Sequence, residues 1–152
     1  MLSATVFSYQ PHKQRSKSAG GGIMANSKGQ SGLTAIDLFS GCGGLTSGLE
    51  EAGFRVIAAI EKDRDAADTY SANHRSVRLY RKDIRKVSTT SILSDLDLEP
   101  GRLDLIAGCP PCQGFTRLTE TKMRRDPRNA LVRDFLGFVK ELMPRACMLE
   151  NV

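Results

Sequence analysis

The fold is decided by the stretch TAIDLFSGCGG, residues 34–44. Its first part, 34–39, is an apolar run interrupted only by Asp37, which predicts a β-strand. The strand passes directly into the glycine-rich loop 40–44, and a helix is predicted over 45–52. Glycine lets the backbone turn tightly and approach a ligand with bare peptide groups. The stretch therefore predicts a strand, loop and helix that suit a nucleotide-like ligand.

The rest of the chain alternates short apolar runs with helix-like stretches. Further strands are predicted at 55–60, 77–80, 103–107 and 146–149, and further helices at 64–72, 88–96 and 130–143. This alternation is typical of a parallel sheet with crossover helices. Pro110 and Pro111 end the fourth strand, because proline continues neither a strand nor a helix. We therefore expect an α/β fold with five strands counted from Thr34.

Residues 1–32 differ in composition from residues 33–152. Their basic residues, without any acidic residue among them, are Lys13, Arg15, Lys17 and Lys28. They therefore carry most of the net charge of +5. Ser, Gly, Gln and Asn are frequent there, and such a segment buries too little apolar surface to order itself. We predict a disordered basic tail over 1–32 and one folded unit over 33–152. We expect the true start to be either Met1 or Met24.

Composition also restricts the location of the protein. No apolar run reaches the ~20 residues that a bilayer requires, and the first residues are too polar for a secretory core. The four cysteines are not spaced like those of a secreted disulfide scaffold. We expect an intracellular protein with reduced thiols and no membrane partner, in the bacterial cytoplasm or in a eukaryotic nucleus.

Two classes of cofactor fit the loop 40–44. Dinucleotide-binding enzymes place an acidic residue after the second strand, and Glu61 stands there. A carboxylate at this point accepts hydrogen bonds from both ribose hydroxyls, which serves adenosylmethionine as well as NAD. The dinucleotide motif requires a third glycine where this chain has Thr46, which disfavours NAD. Asp83, after the third strand, could accept a hydrogen bond from an adenine amino group.

A reactive cysteine is indicated by the segment GCPPCQGF, residues 108–115, at the carboxyl end of the fourth strand, where open α/β sheets bind ligands. Cys109 and Cys112 form at most half a metal site, because no second Cys or His pair lies nearby. A redox pair would place its reactive thiol at a helix start, whereas this loop continues past Gly114. The third interpretation is a nucleophilic cysteine held by a rigid Pro-Pro segment, with the stretch 114–126 closing over a substrate.

Six short motifs together resemble those of cytosine-C5 DNA methyltransferases. Three are signature motifs in the order of the family: DLFSGCGG at 37–44, PCQ at 111–113 and ENV at 150–152. The intermediate motifs are EKD at 61–63, KDI at 82–84 and DPRNAL at 126–131. Three signatures in register are more specific than any one alone. The resemblance extends from Thr34 to Val152 and implies a class I methyltransferase-like, Rossmann-like parallel sheet with flanking helices.

The resemblance also implies which residues act. S-adenosyl-L-methionine is the implied cofactor, and its implied binding residues are Phe39, Gly41, Cys42, Gly43, Gly44, Glu61, Lys62, Asp83, Ile84, Pro111 and Leu131. Cys112, as a thiolate, would attack C6 of a flipped-out cytosine so that C5 accepts the methyl group. Glu150 would hold the N3 and N4 edge of the base. The basic residues expected to meet DNA phosphates are Arg117, Lys122, Arg124, Arg125 and Arg128.

A complete member of this family continues beyond ENV, so the resemblance covers the amino-terminal part of a catalytic domain. The sheet is then expected to stop after its fifth strand and to leave an open outer edge. We expect part of a DNA (cytosine-5-)-methyltransferase of the restriction-modification type, with DNA and a complementary chain as candidate partners and no metal. The alternatives are an inactive remnant or cofactor-binding module, and a fragment of a tRNA cytosine-5 methyltransferase.

Overall fold

The computed structural model describes residues 3–8, 32–110 and 128–151. The strands are β1 (Ser3–Ser8), β2 (Thr34–Leu38), β3 (Arg55–Ile60), β4 (Arg78–Tyr80), β5 (Leu105–Gly108) and β6 (Ala146–Asn151). The helices are α1 (Gly44–Glu51), α2 (Arg64–Asn73), α3 (Thr89–Leu96) and α4 (Arg128–Leu142), with a short 3-10 helix at Ile84–Lys86. The alternation predicted from residue 34 onward is confirmed, with small shifts at the boundaries.

All six strands form one sheet in the order β1-β6-β5-β2-β3-β4. Strands β2 to β6 are parallel to their neighbours, whereas β1 runs antiparallel to β6. Leu38, at the end of the central strand β2, pairs with Ile60 of β3 on one side and Gly108 of β5 on the other. Because parallel strands end at the same edge, the loops that follow β2, β3 and β5 converge there. The predicted parallel α/β sheet is confirmed.

Two apolar clusters cover the two faces of the sheet. One joins Ile36 and Leu38 of β2 to Phe135 of α4. The other joins Ala35 of β2 to Tyr70 of α2. Successive residues of a strand point to opposite faces, which is why neighbouring residues of β2 enter different clusters. Helices therefore flank the sheet on both sides. None of the described helices is long and apolar enough to cross a membrane.

The amino-terminal segment corrects two expectations. The prediction of a disordered tail is wrong for Ser3–Ser8, because these residues form β1 and pair along the whole of β6. The prediction of an open outer edge on the last parallel strand is wrong for the same reason. The sequence SATVFS contains β-branched and aromatic residues that favour strands, and pairing satisfies backbone groups that an open edge would expose. Residues 9–31 of the predicted tail lie outside the described residues.

Candidate active site

The loop after β2 has a backbone that excludes most side chains. Gly41 and Gly43 have φ angles of 54° and 100°. A Cβ atom on Gly43 would lie 2.4 Å from Nε2 of His74, so only glycine fits there. Phe39 also has a positive φ, 65°, a conformation that costs about 1–2 kcal/mol for a residue with a side chain. Such strain persists mainly at functional sites.

Strand β3 and the residue after it hold this loop from one side. The N–H of Ser40 donates to the carbonyl oxygen of Ile60 at 3.1 Å, and the N–H of Gly41 donates to Oε2 of Glu61 at 2.8 Å. The other oxygen of Glu61, Oε1, accepts the N–H of Asp63 at 2.7 Å. An ionised carboxylate has about four lone-pair positions. Glu61 therefore keeps acceptor capacity for a further donor such as a ribose hydroxyl.

A cavity of about 220 Å³ opens at the edge where these loops converge. Its wall consists of Phe39, Ile60, Glu61, Lys62, Lys82, Ile84, Cys109 and Leu131. The predicted cofactor residues brought together in this wall are Phe39, Glu61, Lys62, Ile84 and Leu131. Complete small-molecule sites typically measure ~300–1,000 Å³. The cavity therefore has the size of a subsite that takes one part of a nucleoside cofactor.

The other predicted loop residues do not belong to the cavity wall, and among them Gly41 contacts Glu61. They are Gly41, Cys42, Gly43 and Gly44. Cys42 is exposed, and Gly44 is the first residue of α1. Three wall residues, Ile60, Lys82 and Cys109, were not among the cofactor residues predicted from the sequence. The available signal was their position at or just after the ends of β3, β4 and β5.

Asp83 has a competing partner. Its carboxylate accepts hydrogen bonds from the backbone N–H, Nε and Nη2 of Arg85 at 3.0, 2.8 and 2.5 Å. The side-chain hydrogen bonds from Arg85 are the main reason why the pKa of Asp83 lies well below its usual range. Its neighbours Lys82 and Ile84 form part of the cavity wall, and Asp83 does not. The predicted contact between Asp83 and an adenine amino group stays a prediction.

Glu150 lies at the end of β6, next to the end of β5. Because Gly108 pairs with Leu149, the next residues along the two strands, Cys109 and Glu150, stand side by side. The Cys109 thiol donates a hydrogen bond to Oε2 of Glu150, with a sulfur–oxygen distance of 3.3 Å. Cys109 therefore connects the cavity wall to the carboxylate predicted to bind the base.

A buried carboxyl group lies beneath the loop. Asp37 has no exposed surface, and its burial raises the pKa to about 7 although the hydrogen bond from Thr46 acts in the opposite direction. The Thr46 hydroxyl donates to Oδ2 at 2.7 Å, while Oδ1 has no hydrogen-bond partner among the described residues. Sequence reasoning gave Asp37 no role of its own. Its position inside a buried strand was a usable signal, because unpaired carboxylates are rarely fully buried.

Several predicted residues lie outside the described residues. Pro111 and Cys112 fall within 111–127, so the assignment of the nucleophile stays a prediction. Most of the basic residues expected to meet DNA fall in the same stretch: Arg117, Lys122, Arg124 and Arg125. Arg128 begins α4. Within 32–110 and 128–151, no group of three or more His, Cys, Asp or Glu side chains is arranged to hold a metal ion.

The described site is that of a Rossmann-like α/β protein with a glycine loop after the central strand and an acidic residue after its neighbour. The sequence model of the family described as C-5 cytosine-specific DNA methylase matches residues 33–152. The chain belongs to this family, as predicted. Membership in a family of methyltransferases implies a methyl-donor cofactor and sets the dinucleotide interpretation aside.

Curated relatives agree with the family. The chain is 44% identical over 120 residues to the type II methyltransferase M.DdeI of Desulfomicrobium norvegicum, which covers 79% of this chain and 28% of the relative. It is 37% identical over 117 residues to the type II methyltransferase M.AquIA of a Picosynechococcus strain, which covers 77% of this chain and 47% of the relative. The chain thus spans less than a third of M.DdeI and about half of M.AquIA.

The solved structures include a DNA modification methyltransferase encoded within a prophage of E. coli. It superposes on this chain with a TM-score of 0.67 at 37% sequence identity and covers 79% of this chain and 32% of its own. The predicted class I methyltransferase-like fold is confirmed by this similarity and by the parallel sheet.

Proposed function

We propose that this chain supplies the methyl-donor site and the base-activating groups of a DNA (cytosine-5-)-methyltransferase that uses S-adenosyl-L-methionine. The observation that carries the proposal is the junction at the sheet edge, where the cavity wall meets Glu150 through Cys109. Methyl transfer requires donor and target to be held within reach of each other. Cys109 belongs to the cavity wall and donates to Glu150, which supports a donor pocket close to the proposed base-binding group.

The cavity fits the adenosine part of the donor. Phe39, Ile84 and Leu131 offer apolar surface for a purine ring, and Glu61 keeps acceptor positions for the ribose hydroxyls. The loop 41–44 leads into the first residue of α1, Gly44, and the start of a helix suits a polar, charged moiety. When bound, S-adenosyl-L-methionine supplies an electrophilic methyl group on its sulfonium sulfur.

Cys112 is the nucleophile in this proposal, supported by its place in the PCQ motif just after Pro110 at the end of β5. C5 of cytosine is a poor nucleophile until C6 is attacked. The Cys112 thiolate forms a bond to C6, and the electron pair of the C5=C6 bond moves to C5, which then accepts the methyl group. Loss of the C5 proton restores the double bond and releases the sulfur as a thiolate. A duplex would have to release the base, at a cost of a few kcal/mol.

Glu150 holds the cytosine in this proposal. A carboxyl group that donates its proton to N3 and accepts a hydrogen bond from the N4 amino group offsets the negative charge that develops on the ring while Cys112 adds to C6. The hydrogen bond from Cys109 involves Oε2 of Glu150 and restrains the carboxylate from the side of the cavity. In this proposal Cys109 is a neighbour of the reacting base, and Cys112 forms the covalent bond.

The donor half of the proposal is tested by calorimetric titration of the chain with S-adenosyl-L-homocysteine. Glu61→Gln should weaken binding about tenfold, because a hydrogen bond to a charged group contributes roughly 1.5–3 kcal/mol. Glu51→Gln is the matched control, since Glu51 is an exposed carboxylate at the end of α1 and should retain wild-type affinity. Unchanged affinity in Glu61→Gln, or no binding by the wild-type chain, would contradict the donor site.

The base half is tested by covalent trapping on a duplex that contains 5-fluorocytosine, because C5 then carries no proton to lose. Since the chain spans less than a third of M.DdeI, the reaction is supplied with the carboxyl-terminal region of M.DdeI as a second polypeptide. Cys112→Ser should abolish the trapped complex, and Cys109→Ser should retain it. Equal loss in both variants would overturn the assignment of the nucleophile. Trapping on fluorinated RNA but not on DNA would favour the RNA alternative.

A further inference from the structure

Three side chains from different elements form a buried hydrogen-bonded chain beneath the glycine loop. Thr46, in the first turn of α1, is completely buried. Its hydroxyl donates to Oδ2 of Asp37 at 2.7 Å and lies 2.8 Å from the hydroxyl of Tyr70 in α2. A hydroxyl has one proton, so when Thr46 donates to Asp37 the Tyr70 hydroxyl must donate to Thr46. These hydrogen bonds thus connect β2, α1 and α2 directly below the loop.

His74 extends this support up to the loop itself. It caps the end of α2, is 8% exposed, and its ring centroid lies 4.7 Å from that of Tyr70. Its Nδ1 lies 3.3 Å from the carboxylate of Glu50, which fixes the orientation of the ring. The opposite nitrogen, Nε2, lies where a Cβ of Gly43 would be only 2.4 Å away. The imidazole is therefore in close contact with the loop backbone at Gly43.

Neither Tyr70 nor His74 belongs to the cavity wall, so any influence on a ligand must pass through the loop. The loop has its own backbone bonds at this point, since the N–H of Gly43 donates to the carbonyl of Ser40 and the Ser47 hydroxyl donates to the carbonyl of Gly43. We infer that Tyr70 and His74 are positioning residues that hold the methyl-donor loop in its binding conformation from below. This inference rests on the proposed donor site.

The protonation states of the buried groups are compatible with this role. Burial raises the pKa of the Tyr70 hydroxyl, so it remains protonated and available as a donor. Burial likewise raises the pKa of Asp37 to about 7. If Asp37 takes up a proton it can donate to Thr46, and both hydroxyls can rotate so that the hydrogen bonds persist in the reversed direction. The hydrogen-bonded side chains therefore support the loop whether Asp37 is ionised or protonated.

Cys42 provides a readout of the loop that requires no ligand. It is exposed and adjacent to Gly43, whereas Cys147 is buried in β6 and reports global unfolding. The alkylation rate of each cysteine by iodoacetamide is measured by peptide mass spectrometry. Tyr70→Phe, which removes only the hydroxyl, should increase the rate at Cys42 about fivefold, the factor that corresponds to one lost neutral hydrogen bond. The rate at Cys147 should stay unchanged.

Matched variants separate this support from general packing. Tyr80→Phe removes a hydroxyl that donates to Asp95 outside the buried chain, and it should leave the Cys42 rate at the wild-type value. His74→Ala should increase the rate as Tyr70→Phe does. Thr46→Val should also increase it, whereas Thr46→Ser keeps the hydroxyl and should restore the slow rate. If Tyr70→Phe fails to fold, the pair at Thr46 provides the same comparison.

A measurement of donor binding separates two claims: that Tyr70 and His74 hold the loop, and that the loop belongs to a donor site. Tyr70→Phe should weaken S-adenosyl-L-homocysteine binding about fivefold, in parallel with the faster alkylation of Cys42. Wild-type alkylation at Cys42 in Tyr70→Phe, His74→Ala and Thr46→Val would overturn the inference, whatever the affinity for the donor. Faster alkylation in these variants, together with no donor binding by the wild-type chain, would support the positioning of the loop and contradict the donor site instead.

Discussion

The side of the site proposed to bind the methyl donor (the donor side) and the side proposed to bind the cytosine (the base side) are held in different ways. On the donor side, β3 and Glu61 fix the loop from one side, and a buried chain from Asp37 to Tyr70 supports it from below. On the base side, the described side-chain contact is the hydrogen bond between Cys109 and Glu150. A thiol is a weak donor. The difference indicates that the proposed donor side is held by several backbone N–H and hydroxyl donors, whereas the hydrogen bond between Cys109 and Glu150 on the proposed base side comes from a weak donor.

The largest expected effect concerns Gly108, where strand β5 joins the two sides. A Cβ atom there would lie 2.5 Å from the carbonyl oxygen of Leu38 and 3.2 Å from the ring of Phe135. A backbone oxygen in a sheet cannot move aside as the end of a side chain can. Gly108→Ala should therefore lower the free energy of unfolding by about 3 kcal/mol, the upper end of the usual cost of overpacking. Urea denaturation measures this change.

Gly137→Ala is the control for this prediction. Gly137 lies inside α4, and a Cβ there would meet no atom within 4 Å. Since alanine favours helix over glycine, this variant should gain about 0.5–1 kcal/mol of stability. If Gly108→Ala proved as stable as Gly137→Ala, the close approach of β5 to β2 would be wrong, and with it the junction of the two sides.

Asp37 should make the free energy of unfolding depend on pH. Its pKa is raised from 3.8 to about 7 by burial, so between these values the folded chain holds a proton that the unfolded chain has released. Stability should then fall as pH rises through this window, by up to about 1.4 kcal/mol per pH unit, and the decline should end above the folded pKa. Urea denaturation at several pH values between 5 and 8 measures the slope.

Asp37→Asn is the variant that checks this assignment. It keeps an acceptor for the Thr46 hydroxyl but cannot ionise, so the slope should flatten and the variant should exceed the wild type in stability above neutral pH. Asp83 does not confound the experiment. Hydrogen bonds from Arg85 hold its pKa below the usual range, so its contribution changes only at lower pH. An unchanged slope in Asp37→Asn would assign the pH dependence to another group.

The sequence predicted those parts of the site that are encoded in a short motif or in the regular spacing of apolar residues. The loop 40–44 and the acid after β3 are local features, and the alternation of elements determines which strand ends converge. Thr46 shows what remained hidden. It was interpreted only as a missing glycine, whereas its hydroxyl contacts Tyr70, which lies 24 positions further along the chain. No periodicity encodes such a contact between elements.

The tail shows the opposite limit of sequence reasoning. Averaged over 1–32, the composition is polar and basic and predicts disorder, but six residues within it, Ser3–Ser8, form a strand. A six-residue strand is a small fraction of that window, so its β-branched and aromatic residues do not dominate the average. Its partner β6 is also almost the whole chain away. The pairing that corrected the prediction is therefore non-local, like the contact of Thr46.

Removal of strand β1 tests how far β6, the strand that carries Glu150, depends on its pairing with β1. Replacing Ser3–Ser8 by GSGSGS should free the outer edge of β6, whose unpaired backbone groups then favour association between copies. Sedimentation velocity should show larger species than in the wild type, in a proportion that grows with concentration. A chain with Ala4 and Val6 exchanged keeps the composition and the alternation of the strand, because the two positions are two residues apart, and serves as the control. A GSGSGS variant that sediments like the wild type would mean that the edge of β6 does not depend on β1.

The smallest expected effect lies at Cys109, and it tests the comparison of the two sides most directly. Cys109→Ala removes the donor that contacts Glu150 and should lower the free energy of unfolding by less than about 1 kcal/mol, because a neutral hydrogen bond contributes about that much and a thiol less. Cys109→Ser keeps a donor and should differ from the wild type by even less. If Cys109→Ala lost as much stability as Gly108→Ala, the contact would be part of a rigid base side, and the two sides would be equally preorganised.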